Sequence, residues 1–174
     1  MMNKKEWYVL LTRSRFENVV HDSITKKSIE AFLPKIKKIS RRKDRRIMID
    51  VPLFPGYLFV KTSSDPAHQL RILKTTGAVR LLGYNNGPVP VPEDSIESLK
   101  IITGSGMDII KGSTSEMSQG TPVMIISGPM AGVKGEFVKY KNKSRVIIRI
   151  ETMGQFAGVE IDEDNLEKLP DIMA

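Results

Sequence analysis

The ten residues Val51–Val60, VPLFPGYLFV, constrain the fold more than any other stretch of the chain. They are apolar almost throughout and are broken only by Pro52, Pro55 and Gly56. An apolar run bounded by prolines reads as a loop leading into a buried strand. Tyr57–Val60 is the strand, since aromatic and branched side chains suit a pleated, buried surface. Leu53–Phe54–Pro55 is the loop. Pro55 fixes φ and cannot donate to a ladder, and Gly56 permits a sharp bend. Two readings of Phe54 follow from the pattern. Held on a rigid loop, Leu53 and Phe54 form an exposed apolar docking site; alternatively, Phe54 plugs the core.

Taken in order, Glu6–Arg13 reads as a central strand, with five consecutive strand formers from Trp7 to Leu11. Ser14 and Glu17 form an S-x-x-E capping box. Phe16, Val19, Val20 and Ile24 then mark one face of a short helix ending near Ser28. His21 lies off that face, as a surface histidine. Ile29–Ile39 is an exposed strand interrupted by Pro34, and Ile47–Val51 is its return. Between them Ser40–Arg46, SRRKDRR, packs five basic residues around one Asp, which predicts a hairpin with a basic tip. Ser64 or Asp65 caps the next helix with Pro66 in its first turn, and Leu70 and Leu73 face inward. Gly77 ends it. Ala78–Tyr84 is a strand, Asn85–Pro88 a turn, and a helix from Pro92 or Glu93 turns Ile96, Leu99 and Ile102 or Thr103 inward. Residues 104–119 lose periodicity and gain Gly, Ser and Thr, as a flexible linker does. From Gly120 onward, five short strands in about fifty residues predict a small antiparallel barrel.

Charge separates the two ends of the chain. Residues 1–103 carry 19 Lys and Arg against 10 Asp and Glu, whereas residues 120–174 carry 7 against 8. A polyanion, in the usual case nucleic acid, is the natural partner of the basic part, and the Ser40–Arg46 tip is its best phosphate contact. Enzymatic chemistry finds little footing. The chain has two histidines and no cysteine, so thiolate metal sites and disulfides are excluded. GPMAGVKG at 128–135 fails the G-x-x-x-x-G-K-[ST] phosphate-loop spacing, and Gly104–Ser105–Gly106 lacks a nucleophile elbow. Asp162–Glu163–Asp164 reads as an acidic turn. The expectation is a non-enzymatic protein without metal or cofactor. No apolar run reaches the roughly 18–20 residues a membrane helix needs. The N-terminus lacks the apolar core of a signal peptide, so the chain is expected to be cytoplasmic and monomeric, without a membrane partner.

PLFPGYLFV resembles the signature strand of the NusG family of transcription elongation factors. EWYVLLTRSRFE at 6–17 resembles the family's first strand and helix start, and the stretch from GTPVMIISGPMAGVKGEF to EIDEDNLEKL at 120–169 resembles its KOW domain. The order and spacing agree over nearly the whole chain. The resemblance implies an α+β chain: an NGN-like domain at 1–103, built as an antiparallel sheet with flanking helices, a linker at 104–119, and an SH3-like KOW barrel at 120–174. It implies binding across the RNA polymerase cleft, with Leu11, Phe54, Pro55, Tyr57, Phe59 and Tyr84 on the clamp helices of the largest subunit. Core packing remains an equal reading for Tyr57 and Phe59. His68 stands where specialised relatives face the gate loop of the other large subunit, although Gln69 and Leu70 depart from their pattern. Arg13 and Arg15 would meet the non-template DNA strand, and Arg41, Arg42, Lys43, Arg45 and Arg46 would reach DNA or nascent RNA. In the KOW domain the implied partner contacts are Met130, Val133, Thr152, Met153 and Gln155, toward ribosomal protein S10 or the termination factor Rho. Thr152–Met153 and Gln155 depart from the bulky, basic character of housekeeping members. PLFP, YLFV and EAFLP look closer to the RfaH/UpxY-like paralogs that act as antiterminators on long operons; the alternatives are a housekeeping factor coupling polymerase to the ribosome or Rho, and a general RNA-binding KOW protein.

Overall fold

The computed structural model describes residues 4–40 and 47–170, and the chain divides into two units, residues 1–91 and 92–174.

In the first unit the apolar run Trp7–Leu11 forms β1 (Glu6–Thr12), followed by α1 (Glu17–Lys26), β2 (Ala31–Phe32), β3 (Lys35–Ile39) and β4 (Met48–Pro52). Then come β5 (Tyr57–Thr62), α2 (Pro66–Leu73), β6 (Ala78–Leu81), β7 (Gly83–Tyr84) and β8 (Gly87–Pro88). The main sheet has the order β2-β5-β1-β6, so the two most apolar strands occupy its centre, as expected. β1 and β5 pair antiparallel with Leu10 opposite Leu58 and Leu11 opposite Tyr57. Because side chains alternate across a strand, Tyr8, Leu10, Leu58, Val60 and Leu81 share one face. That face packs with Val20 and Ile24 of α1 and Ile72 of α2 into one core. β3 and β4 form a separate two-stranded ribbon.

Several expectations change in this unit. The capping box does not form: α1 begins at Glu17 behind Phe16 with no side-chain cap. The Glu17 carboxylate instead accepts the Gly56 N–H at 2.8 Å, a tertiary bond that outcompetes the local one. Val19 is exposed. In α2, Ile72 is the buried residue and Leu70 and Leu73 are exposed. Asp65 does cap α2, accepting from the Ala67 N–H at 2.9 Å.

Gly77 shows why the turn after α2 has its sequence. Its φ is +93°, and a Cβ there would sit 2.6 Å from Phe16 Cδ1. Gly77→Ala is expected to cost about 1–3 kcal/mol through strain and displacement of the Phe16 ring. A urea titration measures this, and an unchanged midpoint would mean that Phe16 moves away freely.

The second unit starts with α3 (Glu93–Gly104) and continues with β9 (Ile110–Ser113), β10 (Thr121–Ile125), β11 (Lys134–Tyr140), β12 (Lys143–Ile150), β13 (Gln155–Glu160) and β14 (Leu166–Lys168). Ile96, Leu99 and Ile102 are the buried face of α3, as their spacing predicts. The helix groups with the C-terminal strands in the second unit. Ser98 fastens it there, its hydroxyl bonding both the N–H and the carbonyl of Lys134. The linker reading of 104–119 is also corrected, because β9 lies inside it and pairs with β13.

The strands form a six-stranded antiparallel sheet in the order β14-β10-β11-β12-β13-β9. Among the described residues no pairing joins β14 to β9, so the sheet is not closed into the expected barrel. β9, as an added edge strand on β13, accounts for the sixth member. No helix among the described residues is long and apolar enough to cross a membrane.

Candidate functional site

The loop Leu53–Gly56 organises one end of the first unit's sheet. Leu53 donates its N–H to the Pro34 carbonyl and Tyr57 donates to the Phe54 carbonyl, which folds the loop back on itself. Thr12 donates to the Gly56 carbonyl and Arg13 to the Gly77 carbonyl. With the Glu17–Gly56 bond, these contacts bring the end of β1, the start of α1 and the loop before β5 together. Gly56 has a φ of +87°, so only a residue without Cβ turns here without strain.

What this end presents differs from the expectation. Leu53 and Phe54 are buried, Phe54 to 1 % exposure, and Phe59 is fully buried with its ring stacked on Phe32. The exposed-anchor reading of Leu53 and Phe54 is therefore corrected; the folded loop turns both inward. What stays accessible is Pro55, with half-buried Leu11 and Tyr57 beside it. Leu11 lies between Tyr57 and Arg80 across the two ladders, so these three form one row on one sheet face. Arg80, exposed at the end of that row, has no distinguishing signal in the sequence. Arg13 and Arg15 are exposed on the adjoining turn, with Arg15 at a φ of +67°.

The remaining predicted residues lie elsewhere. Tyr84 is 65 % exposed on the β7–β8 hairpin. Leu82 pairs back to Val9, and the chain then runs toward the Trp7 end of β1, away from Leu11. His68 sits past the far end of β5, exposed, with Nδ1 at 2.6 Å from the Ser63 hydroxyl. It lines a cleft with Lys5, Lys61 and Arg71. Arg41, Arg42, Lys43, Arg45 and Arg46 lie outside the described residues, although the β3–β4 ribbon that leads to them is formed as predicted. Burial pushes the Tyr8 phenol up, with the Glu6 carboxylate adding to the effect; Tyr8 belongs to the helix-covered core.

In the second unit Met130 and Val133 are buried, which corrects their reading as partner contacts. Their loop folds back onto β10 through Gly132 N–H to the Ile125 carbonyl and Ile125 N–H to the Val133 carbonyl. Thr152 and Met153 lie in a single 3-10 turn and lead directly to Gln155 at the start of β13, all three half-buried and contiguous. The Glu163 carboxyl is held below its ordinary range by its hydrogen bond with Lys139, aided by the Ser144 hydroxyl. Among the described residues no group of His, Cys, Asp and Glu is arranged to hold a metal.

Comparison with known proteins agrees with this architecture. The family model for NusG, described as transcription termination factor nusG, matches residues 5–100. The transcription termination/antitermination protein NusG of Bacillus subtilis is 26% identical over 178 residues, covering 95% of this chain and 99% of that protein. Its counterpart in Staphylococcus carnosus is 25% identical, covering 95% and 96%. A solved structure described as domain interaction in Thermotoga maritima NusG aligns with a TM-score of 0.52 at 22% identity, covering 96% of this chain and 98% of that one, a likeness of fold. With the model spanning β1 through most of α3, the chain belongs to the NusG family of transcription factors.

Proposed function

We propose that this protein is an RNA polymerase-associated elongation factor that suppresses pausing or termination. The observation that carries this is the end of the first unit's sheet, where Pro55, Leu11 and Tyr57 offer a small apolar surface beside exposed Arg13, Arg15 and Arg80. The apolar row docks on a helical element of the polymerase's largest subunit, and the arginines take the phosphates of the exposed non-template strand. His68 stands past the opposite end of β5, a strand of six residues and about 20 Å. Two contact surfaces so separated suit a domain that spans a cleft and resists its opening. This arrangement needs no reaction centre.

The motifs PLFPGYLFV and EAFLP favour a specialised, RfaH/UpxY-like antiterminator for long operons. The second unit acts as the KOW domain, with a compact SH3-like sheet as its scaffold. Its accessible contacts are Thr152, Met153 and Gln155, toward ribosomal protein S10; a housekeeping role that engages Rho is the competing function. Replacing Leu11 and Tyr57 together by serine is expected to weaken binding to purified RNA polymerase at least about tenfold, or about 1.4 kcal/mol, with a normal circular dichroism spectrum. Undiminished binding by a folded variant would overturn the assigned surface.

A further inference from the structure

Four basic side chains from separate segments of the first unit line one cleft. Lys5 precedes β1, Lys61 is on β5, and His68 and Arg71 are on α2; the cleft they line has a volume of about 350 Å³. Their placement is held by the fold. The Lys61 N–H donates to the Glu30 carbonyl at 2.9 Å, and its ammonium lies 5.8 Å from the centroid of the Trp7 ring. Arg71 and Lys27 clasp each other's segments. The Arg71 guanidinium donates through Nη2 to the Lys27 carbonyl at 3.2 Å, and the Lys27 ammonium donates to the Arg71 carbonyl at 3.0 Å. That bond fixes the guanidinium and leaves its other N–H donors for a ligand. Ser63 engages His68 at Nδ1, so Nε2 is the ring nitrogen left for one.

The same cleft has a second kind of lining, the Glu30 carboxylate and the Ser28 hydroxyl. Ser28 closes the C-terminal turn of α1, its N–H on the Thr25 carbonyl and the Ile29 N–H on the Ile24 carbonyl. Its φ is +60°, a conformation in which glycine is the unstrained choice. The chain tolerates that strain and gains a hydroxyl at the cleft. Three permanent cations against one carboxylate select an anion. A polymer backbone is met by cations strung along an open face, whereas these line a cleft of small-molecule size. A diphosphate has enough oxygens to engage all of these donors at once. A sugar attached to it supplies hydroxyls for Ser28 and Glu30.

We propose that this cleft is a binding site for a small diphosphate carried on a sugar, with Lys5, Lys61, Arg71 and His68 on the phosphates and Ser28 and Glu30 on the sugar hydroxyls. The site is independent of the polymerase surface at Leu11 and Tyr57. Its test omits polymerase, so its failure leaves that surface standing, and the reverse holds too.

The full-length chain is titrated calorimetrically with sodium pyrophosphate and then with adenosine diphosphate, in metal-free buffer at constant chloride. Saturable binding is expected, with adenosine diphosphate the tighter ligand. Lys5→Gln and Arg71→Gln are each expected to weaken both ligands about tenfold, the loss of one charge-assisted contact. Lys37→Gln removes an exposed charge outside the cleft and is expected to weaken neither. Ser28→Gly separates ligand from fold. It is expected to raise the melting temperature, because glycine relieves the positive φ, and to cancel the advantage of adenosine diphosphate over pyrophosphate. No saturable heat with pyrophosphate would overturn the proposal. So would equal affinity of the parent chain for the two ligands, an undiminished advantage in Ser28→Gly, or the same loss in Lys37→Gln as in Lys5→Gln.

Discussion

Replacing Phe54 by alanine is expected to destabilise the protein by about 3–5 kcal/mol, the range for removing a fully buried aromatic ring. The ring is only 1 % exposed, and the loop that carries it is tied down on both sides by the Leu53–Pro34 and Tyr57–Phe54 backbone bonds. A loss of that size lowers the melting temperature by about 6–20 °C in a chain of this length. Phe54→Leu keeps most of the buried area and is expected to lose less than half as much. Both are read by thermal melts followed by circular dichroism. The contrast with the docking surface is diagnostic. Leu11→Ser with Tyr57→Ser should weaken polymerase binding in a folded protein, whereas Phe54→Ala should weaken folding itself. An F54A variant that melts like the parent would restore Phe54 as an exposed anchor.

Removing the Arg149 side chain is the second large effect. Its guanidinium bonds both oxygens of Glu136, at 2.9 and 3.3 Å, and reaches the carbonyls of Thr114, Met117 and Ser118 at 3.2–3.4 Å. Glu136 in turn accepts the Gly120 N–H at 2.9 Å. With side chains only 11 and 19 % exposed, this pair is closer to a buried one than to a surface one. Arg149→Ala is expected to cost about 3 kcal/mol, since it leaves Glu136 uncompensated in a largely dry setting. The loss should also be local. Hydrogen exchange is expected to accelerate first over residues 114–120, which the guanidinium holds to β11 and β12. Arg149→Lys keeps the charge but not the planar fork, and should recover only part of the loss. Unaltered exchange over 114–120 in the alanine variant would mean that the segment is held by β9 pairing alone.

That segment also shows where sequence reasoning stops. β1, β5 and the buried face of α3 were legible because their apolar residues recur at strand or helix spacing. The β3–β4 ribbon was legible from its apolar positions on either side of a basic run. β9 was not, since Ile110–Ser113 contains one apolar side chain and a glycine and is a strand only because β13 offers it an edge. Glu17 satisfied the capping rule by spacing, but its bond to Gly56 depends on a residue 39 positions away. In the candidate site the proline turn follows from its own residues, whereas the direction of Phe54 depends on how the whole loop folds back. Arg80 enters the surface only through the β1–β6 register. Among the described residues the β3–β4 ribbon pairs with no other strand, which the spacing of Ile39 and Met48 does not show.

The most direct measurement is transcription by purified RNA polymerase on a template bearing a pause and a terminator, with and without the full-length protein. A factor that bridges the polymerase cleft predicts shorter dwell at the pause and more full-length transcript, with both effects reduced by Leu11→Ser and Tyr57→Ser. Unchanged dwell and readthrough in the presence of folded protein would contradict it.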